Sequence, residues 1–374
     1  MKVLFASPGA AAYGSGRSML NLLRARQFEA EVVCPGGGAV ALELRQLGVK
    51  HHVLEFNKHT VRQNPRWHLG FYRAFCTILK HSRPDAVVIN LDGNTPLVTL
   101  AALRAKTPIV RFSRFEFNSP RRWLDRWCWL QVEAVICPSE HVKQQVLEWA
   151  PGSFHPRVHR FYEPCDVLTV EDGESAAFRR EFALGSNRII GYVGRIHPSK
   201  RIETAVEALA RVRRDIPDAH LLIVGGIDGS PAEAAYQKRL VELAAGCGVA
   251  EGVSITGYLN YNQVMRAVST LSVLIHPSES ESFGLVLVEA WAQGIPTVAS
   301  DASGCREITR ASGGGELCPV GDSDCFAECI VSLLQDPARA AALGSAGRSW
   351  VLSECSPAVY ASRFCSLIEC LARN

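Results

Sequence analysis

The 374-residue sequence has no apolar run approaching the ~18 residues that read as a membrane-spanning helix. It has thirteen cysteines but no Cys-x-x-Cys pair, and its closest two, Cys325 and Cys329, stand one helical turn apart. That pattern suggests neither a zinc framework nor a disulfide scaffold, and buried free thiols are the plain reading. A Gly-Lys-Ser/Thr element is also absent, which excludes a Walker loop. Neither a short-period repeat nor a low-complexity segment is present. Charge of neither sign dominates: the net charge is +3.

What remains is a composition of 47% hydrophobic and 21% charged residues, that of a folded chain long enough for two domains. The charge is unevenly spread. Residues 1–166 carry 22 Lys+Arg against 13 Asp+Glu, a net of +9, and residues 167–374 carry 18 against 24, a net of −6. Such a split suggests two domains with different partners. In the basic half, "RQNPRWHLGFYRAF" (62–75) and "RFSRFEFNSPRRWLDRWCWL" (111–130) alternate cations with aromatics. They suit an anionic surface or acceptor, or else helices that turn their aromatics inward.

Short β-branched runs alternate with helical stretches along the whole chain. "KVLFAS", "AEVVCP", "HHVLEF", "DAVVIN", "PIVRFS", "EAVICPS" and "RVHRF" read as strands in the first half. The apolar start at residues 2–7 fits a first buried strand better than a leader peptide. Pro164 and "EDGES" break the rhythm. The pattern then restarts with "RIIGYVG", "AHLLIVGG", "GVSITG", "LSVLIHP" and "PTVAS", and residues 323–371 read as three helices. The expected fold is α/β: two doubly wound, Rossmann-like parallel sheets facing across a cleft. The expected boundaries are 1–166 for the first domain, joined by a C-terminal helix at about 357–374, a linker at 167–187, and 188–356 for the second.

Three loops carry chemistry. "SPGAAAYGSGRS" (7–18) follows the first strand, and Gly14, Ser15 and Gly16 would let a ligand approach the backbone at a helix start. It departs from Gly-x-Gly-x-x-Gly, because Met19 stands three residues after Gly16. "GYVGRIHPSKR" (191–201) places Arg195 and Lys200 beyond a strand end, where a planar fork and a point charge can clamp a diphosphate. In "HPSESESFGLVLVEAWAQGIPTVASD" (276–301), Glu281 precedes a helix, Ser282 to Leu285 open it, and Glu289 lies inside it. Orphan amides at that helix start favour an anion. A loop acid, an anion-binding helix end and an in-helix acid would hold three parts of a nucleotide-diphosphate sugar. A solvated helix face is the plain alternative.

These segments resemble family-four retaining glycosyltransferases of the GT-B fold. The likeness covers roughly residues 188–340 through "GYVGRIHPSKRIETAVEAL", "LLIVGG", "VSITGYLNYNQV", "LIHPSESESFGLVLVEAWAQGIPTVASDASGCREI" and "GDSDCFAECIVSLLQDP". The first half resembles the family more loosely, through "YGSG" and "AVICPSEHVKQQV". The resemblance implies that Arg195 and Lys200 meet the donor diphosphate, Glu281 the transferred sugar and Glu289 the ribose. It implies backbone contacts to the donor from Ser282, Phe283, Gly284 and Leu285 and from Gly14 to Gly16. Gly226 and Gly257 would line the nucleotide. Where many members carry a histidine in the first domain this chain has Arg114, which with Arg111 becomes an acceptor-side candidate; an arginine cannot act as a base. The family's Asn-Gly-x-Asp reads "EPCD" here, keeping only Asp166.

The family's chemistry resembles a front-face displacement in which the donor phosphate takes the acceptor proton. No cofactor and no metal are expected. "DSD" (322–324) is read as a helix cap rather than a metal site. The expected partners are a nucleotide sugar, with uridine donors ahead of guanosine donors, a saccharide or lipid-linked acceptor, and an anionic membrane surface, with no nucleic acid. The expected place is cytoplasmic, peripheral on the inner membrane face. A nucleotide-sugar epimerase and a silent sugar-nucleotide binder stay as alternatives.

Overall fold

The computed structural model describes residues 1–10, 14–56, 65–91, 95–117, 123–168, 170–185, 188–227 and 229–373. Parts of the first glycine loop and of both cation–aromatic stretches (residues 11–13, 62–64 and 118–122) therefore lie outside the described residues. The chain forms two compact units, Met1–Pro164 with Ser356–Asn374, and Cys165–Cys355.

The first unit alternates β1 (Lys2–Ala6), α1 (Ser15–Arg24), β2 (Glu29–Cys34), α2 (Ala39–Gln46), β3 (Lys50–Val53), α3 (Pro65–Ser82) and β4 (Ala86–Ile89). It continues with α4 (Thr95–Arg104), β5 (Ile109–Phe112), α5 (Trp123–Leu130), β6 (Ala134–Cys137), α6 (Glu140–Trp149) and β7 (Val158–Arg160). All seven strands are parallel, in the order β3-β2-β1-β4-β5-β6-β7. Successive side chains of a strand point to opposite faces. Val3 and Phe5 of β1 accordingly join one apolar layer, with Met19 and Phe364, while Leu4 and Ala6 join the other, with Phe71 and Phe75. Both faces are covered, which is why the strands read as unbroken apolar runs.

The second unit holds α7 (Asp172–Glu181), β8 (Arg188–Val193), α8 (Ile202–Asp215), β9 (Ala219–Val224), α9 (Pro231–Gly246), β10 (Val253–Ile255), α10 (Tyr261–Ser269) and β11 (Val273–His276). Then follow α11 (Leu285–Ala292), β12 (Thr297–Ser300), α12 (Ser303–Ser312), β13 (Gly315–Cys318), α13 (Ser323–Gln335) and α14 (Pro337–Trp350). Its six parallel strands run β10-β9-β8-β11-β12-β13. The last helix, α15 (Pro357–Arg373), belongs to the first unit and packs Tyr360, Phe364 and Ile368 against α1 and β1. The doubly wound α/β architecture is thus present twice.

Several elements differ from the sequence reading. Residues 167–187 hold α7, opened by a Glu171–Glu174 capping box and tied to α10 through Ser175–Ser269 (2.6 Å), with Phe178 buried. Its mean polarity hid it, because one buried phenylalanine anchors a helix that is otherwise solvated. β13 was missed because "GELC" is a short edge strand flanked by glycines. The aromatics of α3 turn inward: Trp67, Phe71 and Phe75 stack in sequence, and Phe71 and Phe75 are buried. No helix among the described residues is long and apolar enough to cross a membrane.

Candidate functional site

In each sheet the strand order reverses once, between β1 and β4 in the first unit and between β8 and β11 in the second. Ligands of open α/β sheets bind beyond the carboxyl ends of the strands at such a switch point. The second unit's switch point is where Arg195, Lys200 and Glu281 lie, in the loops that leave β8 and β11.

Two short loops are tied together there. Ser199 O accepts from the Glu279 amide (3.3 Å) and from Ser278 Oγ (3.4 Å). His197 Nδ1 accepts from the Ser199 amide (3.2 Å), which fixes the turn before Lys200. Arg201 then takes a left-handed conformation (φ 48°) to start α8. The result brings Lys200 Nζ onto Glu281 Oε1, and His276 Nε2 meets the same oxygen at 3.1 Å. The Lys200 and Glu281 side chains are 23% and 19% exposed, whereas His276 is buried at the end of β11. Burial alone would push the Glu281 carboxyl up. The His276 hydrogen bond and the Lys200 charge outweigh it and hold the group at about 2. Glu281 is therefore an anion at any ordinary pH.

The loop after Glu281 is held from below. The Gly304 amide donates to Glu281 O (2.9 Å), and a Cβ at Gly304 would lie 2.6 Å from Ser282 O. Only glycine lets the start of α12 press this close. Gly284 is left-handed (φ 98°) and caps α11, with Phe283 packed inward. The Leu287 amide donates to Gly284 O (2.9 Å), which tightens the first turn of α11, whose dipole end favours an anion. Glu289 sits a turn and a half inside α11, 7% exposed, and its charge helps push the buried Cys165 thiol up after desolvation does.

Arg195 lies beyond β8, half-exposed, with its Nε 3.4 Å from Glu233 Oε1 of α9. Gly225 and Gly226 run beside it. The Ile196 amide donates to Gly226 O (2.9 Å), and a Cβ on Gly225 would strike Gly194 O at 1.9 Å. Gly257 (φ 71°) follows β10 and bridges to Gly225. Predicted residues from four loops thus share one end of one sheet. Asp322 caps α13 by accepting from the Cys325 amide (3.0 Å), and Asp324 pairs with Arg211, so the "DSD" acids hold structure.

The first unit arranges its predicted residues differently. The helix starts at Ser15, so only Gly14 (φ 43°) stands outside it and Gly16 is buried in its first turn. Arg114 and Arg111 are 7% and 3% exposed, inside the unit rather than open to an acceptor. Arg114 donates to Ser15 O (2.6 Å) and Asn90 Oδ1 (2.9 Å), and its Nε lies 3.2 Å from Glu163 Oε1. Glu163 accepts from Ser18 at its other oxygen. Arg111 lies 4.0 Å above the Trp129 ring, and desolvation pulls its guanidinium down to about 10, still charged at neutral pH.

His276, Gly304, Glu163 and Asn90 were missed. His276 had a signal, as a polar residue closing the apolar run "VLIH" beside a loop acid. The other three act through partners distant in sequence and had none.

Both units match known families. Residues 174–350 match the model of "Glycosyl transferases group 1", and residues 14–167 match that of "Glycosyltransferase Family 4". A D-inositol 3-phosphate glycosyltransferase of Mycolicibacterium gilvum is 32% identical over 59% of this chain and 49% of its own length. A GDP-mannose-dependent alpha-(1-6)-phosphatidylinositol monomannoside mannosyltransferase of Mycobacterium tuberculosis is 31% identical over 54% of each. The matched chain thus spans about half the length of these curated relatives. Among solved structures, Anabaena HepE in complex with UDP-glucose superposes with a TM-score of 0.84 at 18% identity, over 99% of both chains. A glycosyltransferase from Rickettsia africae gives 0.85 at 18%, over 100% of this chain and 99% of that one. The two family models, which together match most of the chain, place it in the family-four glycosyltransferases, and its paired doubly wound sheets are their GT-B fold.

Proposed function

We propose that this chain is a retaining glycosyltransferase that moves a sugar from a nucleotide-diphosphate sugar to a saccharide or lipid-linked saccharide. The observation that carries the reading is the junction at Glu281. Lys200 and His276 converge on one carboxylate oxygen beside the N-terminal end of α11, at the sheet's switch point. An ion pair left partly open at that place supplies both charges a sugar diphosphate needs.

In this reading Lys200, Arg195 and the α11 amides take the negative charge that grows on the departing diphosphate, the role a metal plays elsewhere. Glu281, fixed as an anion by His276, accepts from hydroxyls of the transferred sugar and faces the positive charge that develops at its anomeric carbon. Glu289 accepts from the ribose diol. Since the pKa of Glu281 is so low, it is a poor general base; the donor phosphate takes the acceptor proton.

The expectation that uridine donors lead has no support from the relatives. One is named for GDP-mannose, while a solved structure of like fold holds UDP-glucose. Both donor classes stand equally. The lipid-linked version at a cytoplasmic membrane face rests on Phe115 and Trp123, which are 64% and 78% exposed. Anionic vesicles binding no better than neutral ones would remove it.

The test is incubation with a panel of UDP- and GDP-sugars, following nucleotide release and the mass of products formed in membrane extract. Transfer from one donor is expected. Tight nucleotide binding without turnover would favour a silent binder, and an altered sugar still attached to its nucleotide would favour an epimerase.

A further inference from the structure

Away from this site, Cys318 at the end of β13 and Cys325 and Cys329 on α13 bring three sulfurs within 4.8 Å of one another. The strand supplies one thiol and a single helical face the other two, since residues four apart lie side by side. Cys318 is buried, whereas Cys325 and Cys329 are half-buried, so solvent reaches the cluster from the helix side. We infer that Cys318, Cys325 and Cys329 form a three-thiolate site for a thiophilic divalent cation of the zinc class.

What suits a cation is the convergence of three sulfurs rather than any single distance. Cys325 Sγ lies 2.7 Å from Cys318 Sγ. Cys318 Sγ and Cys329 Sγ are 3.7 Å apart. Two thiolates at ~2.3 Å from a tetrahedral zinc are themselves about 3.8 Å apart. One edge therefore already has the span of a zinc site, and the short edge would open by about 1 Å. A disulfide would use two of the sulfurs and leave the third beside it; a cation uses all three.

Cys325 lies in the first turn of the 13-residue α13, where the helix dipole favours a thiolate. A divalent cation would displace the protons of the three thiols. Binding replaces the S–H bonds with metal–sulfur bonds and leaves a complex of charge −1, close to Arg339. Sulfur donors select zinc-class ions over magnesium or calcium. The fourth position is left to solvent or an exogenous ligand. Such a site would staple the edge strand β13 to α13.

The test uses the full chain, freshly reduced and freed of metal, titrated with Cd²⁺ and then competed with Zn²⁺. Expected are one equivalent of Cd²⁺, an ultraviolet thiolate-to-cadmium band, proton release, and loss of the band when zinc is added. Cys325→Ser, Cys325→Ala and Cys329→Ser should each weaken binding by more than the ~10–100-fold typical of losing an outer partner. The exposed Cys370→Ser should change nothing. Zinc should also raise the melting temperature of the wild type and not that of Cys329→Ser. No band in the reduced protein, or an equal band in folded Cys325 and Cys329 variants, overturns the site. So does a Cys318–Cys325 cross-link in the isolated protein that reduction turns into thiols unable to take cadmium.

Discussion

Each unit places a cation–carboxylate pair near the switch point of its sheet, but the two pairs are housed differently. In the first, Arg114 and Glu163 side chains are 4% and 9% exposed and are surrounded by Ser15, Ser18 and Asn90. In the second, Lys200 and Glu281 are 23% and 19% exposed, with only His276 sealing one side. Charges that water cannot reach must satisfy each other, so the first pair fastens α1 to the chain before Pro164. Charges still open to solvent can exchange it for a ligand. The units differ in overall charge too. The first carries 24 Lys+Arg against 13 Asp+Glu and the second 16 against 24, a difference larger than the halves of the sequence suggested.

Breaking the sealed pair should have the largest effect. Glu163→Gln leaves the Arg114 guanidinium buried without its counter-charge, which typically costs about 3–5 kcal/mol. In a unit of this size each kcal/mol moves the melting temperature by about 2–4 °C. Arg114→Met with Glu163→Leu should recover much of the loss, because the pair is then removed whole. Denaturant unfolding of both variants measures this. A loss below about 1 kcal/mol for Glu163→Gln would mean the first pair is as open as the second.

The open pair should behave in the opposite way. Lys200→Ala and Glu281→Ala are each expected to lower turnover by at least tenfold, and on the order of 10²–10³ if the lost group meets transition-state charge. Their unfolding free energies should fall by about 1–3 kcal/mol, less than the loss expected for the sealed pair. Steady-state kinetics with the donor found by the panel, beside the unfolding curve, separates the two effects. Wild-type turnover in either variant would end the assignment.

His276 should show a smaller effect with a diagnostic shape. It touches Glu281 rather than substrate, so it is a positioning residue. His276→Phe removes one of the two groups holding the carboxyl down, and turnover should fall roughly tenfold as the carboxylate loses its orientation. The acid limb of the rate profile should also move up toward the ordinary carboxylate range. An unchanged acid limb would show that Lys200 alone holds Glu281.

Legibility in the sequence follows the same divide. The second unit's residues were readable because each stands next to a strand end or a helix start that periodicity locates. Arg195, Lys200, Glu281 and Gly284 needed no long-range information. Arg114 was placed in sequence but its enclosure was not legible, since Ser15, Asn90 and Glu163 come from three other segments and no local pattern announces that they surround it. The fold was legible for its long apolar strands. It was not legible for α7, whose single buried phenylalanine gives no periodicity, or for β13, whose glycines weaken the strand signal. The thiol cluster failed for the same reason as Arg114: Cys318 meets Cys325 and Cys329 only once β13 and α13 pack.

The smallest expected effect sharpens the comparison by pH. Glu281 has a folded pKa of about 2, below its ordinary value. Its contribution is therefore complete above the unfolded carboxylate pKa of ~4.3 and is lost as pH falls through the folded value. The cost should be of order 1–3 kcal/mol between those limits. Glu31 of the first unit complicates the window. Burial would push its carboxyl up, but hydrogen bonds from His52, Lys2 and Lys50 hold it at about 2 as well. One carboxylate held low in each unit thus titrates over the same range. Glu281→Gln should flatten the acid limb of the second unit's unfolding and leave the first unit's limb in place, with Glu31→Gln doing the converse. Hydrogen exchange followed across each sheet between pH 2 and 5 distinguishes the units. Equal flattening in both units by either variant would mean that the two do not unfold separately in acid, and the contrast between them would then belong to local exposure alone.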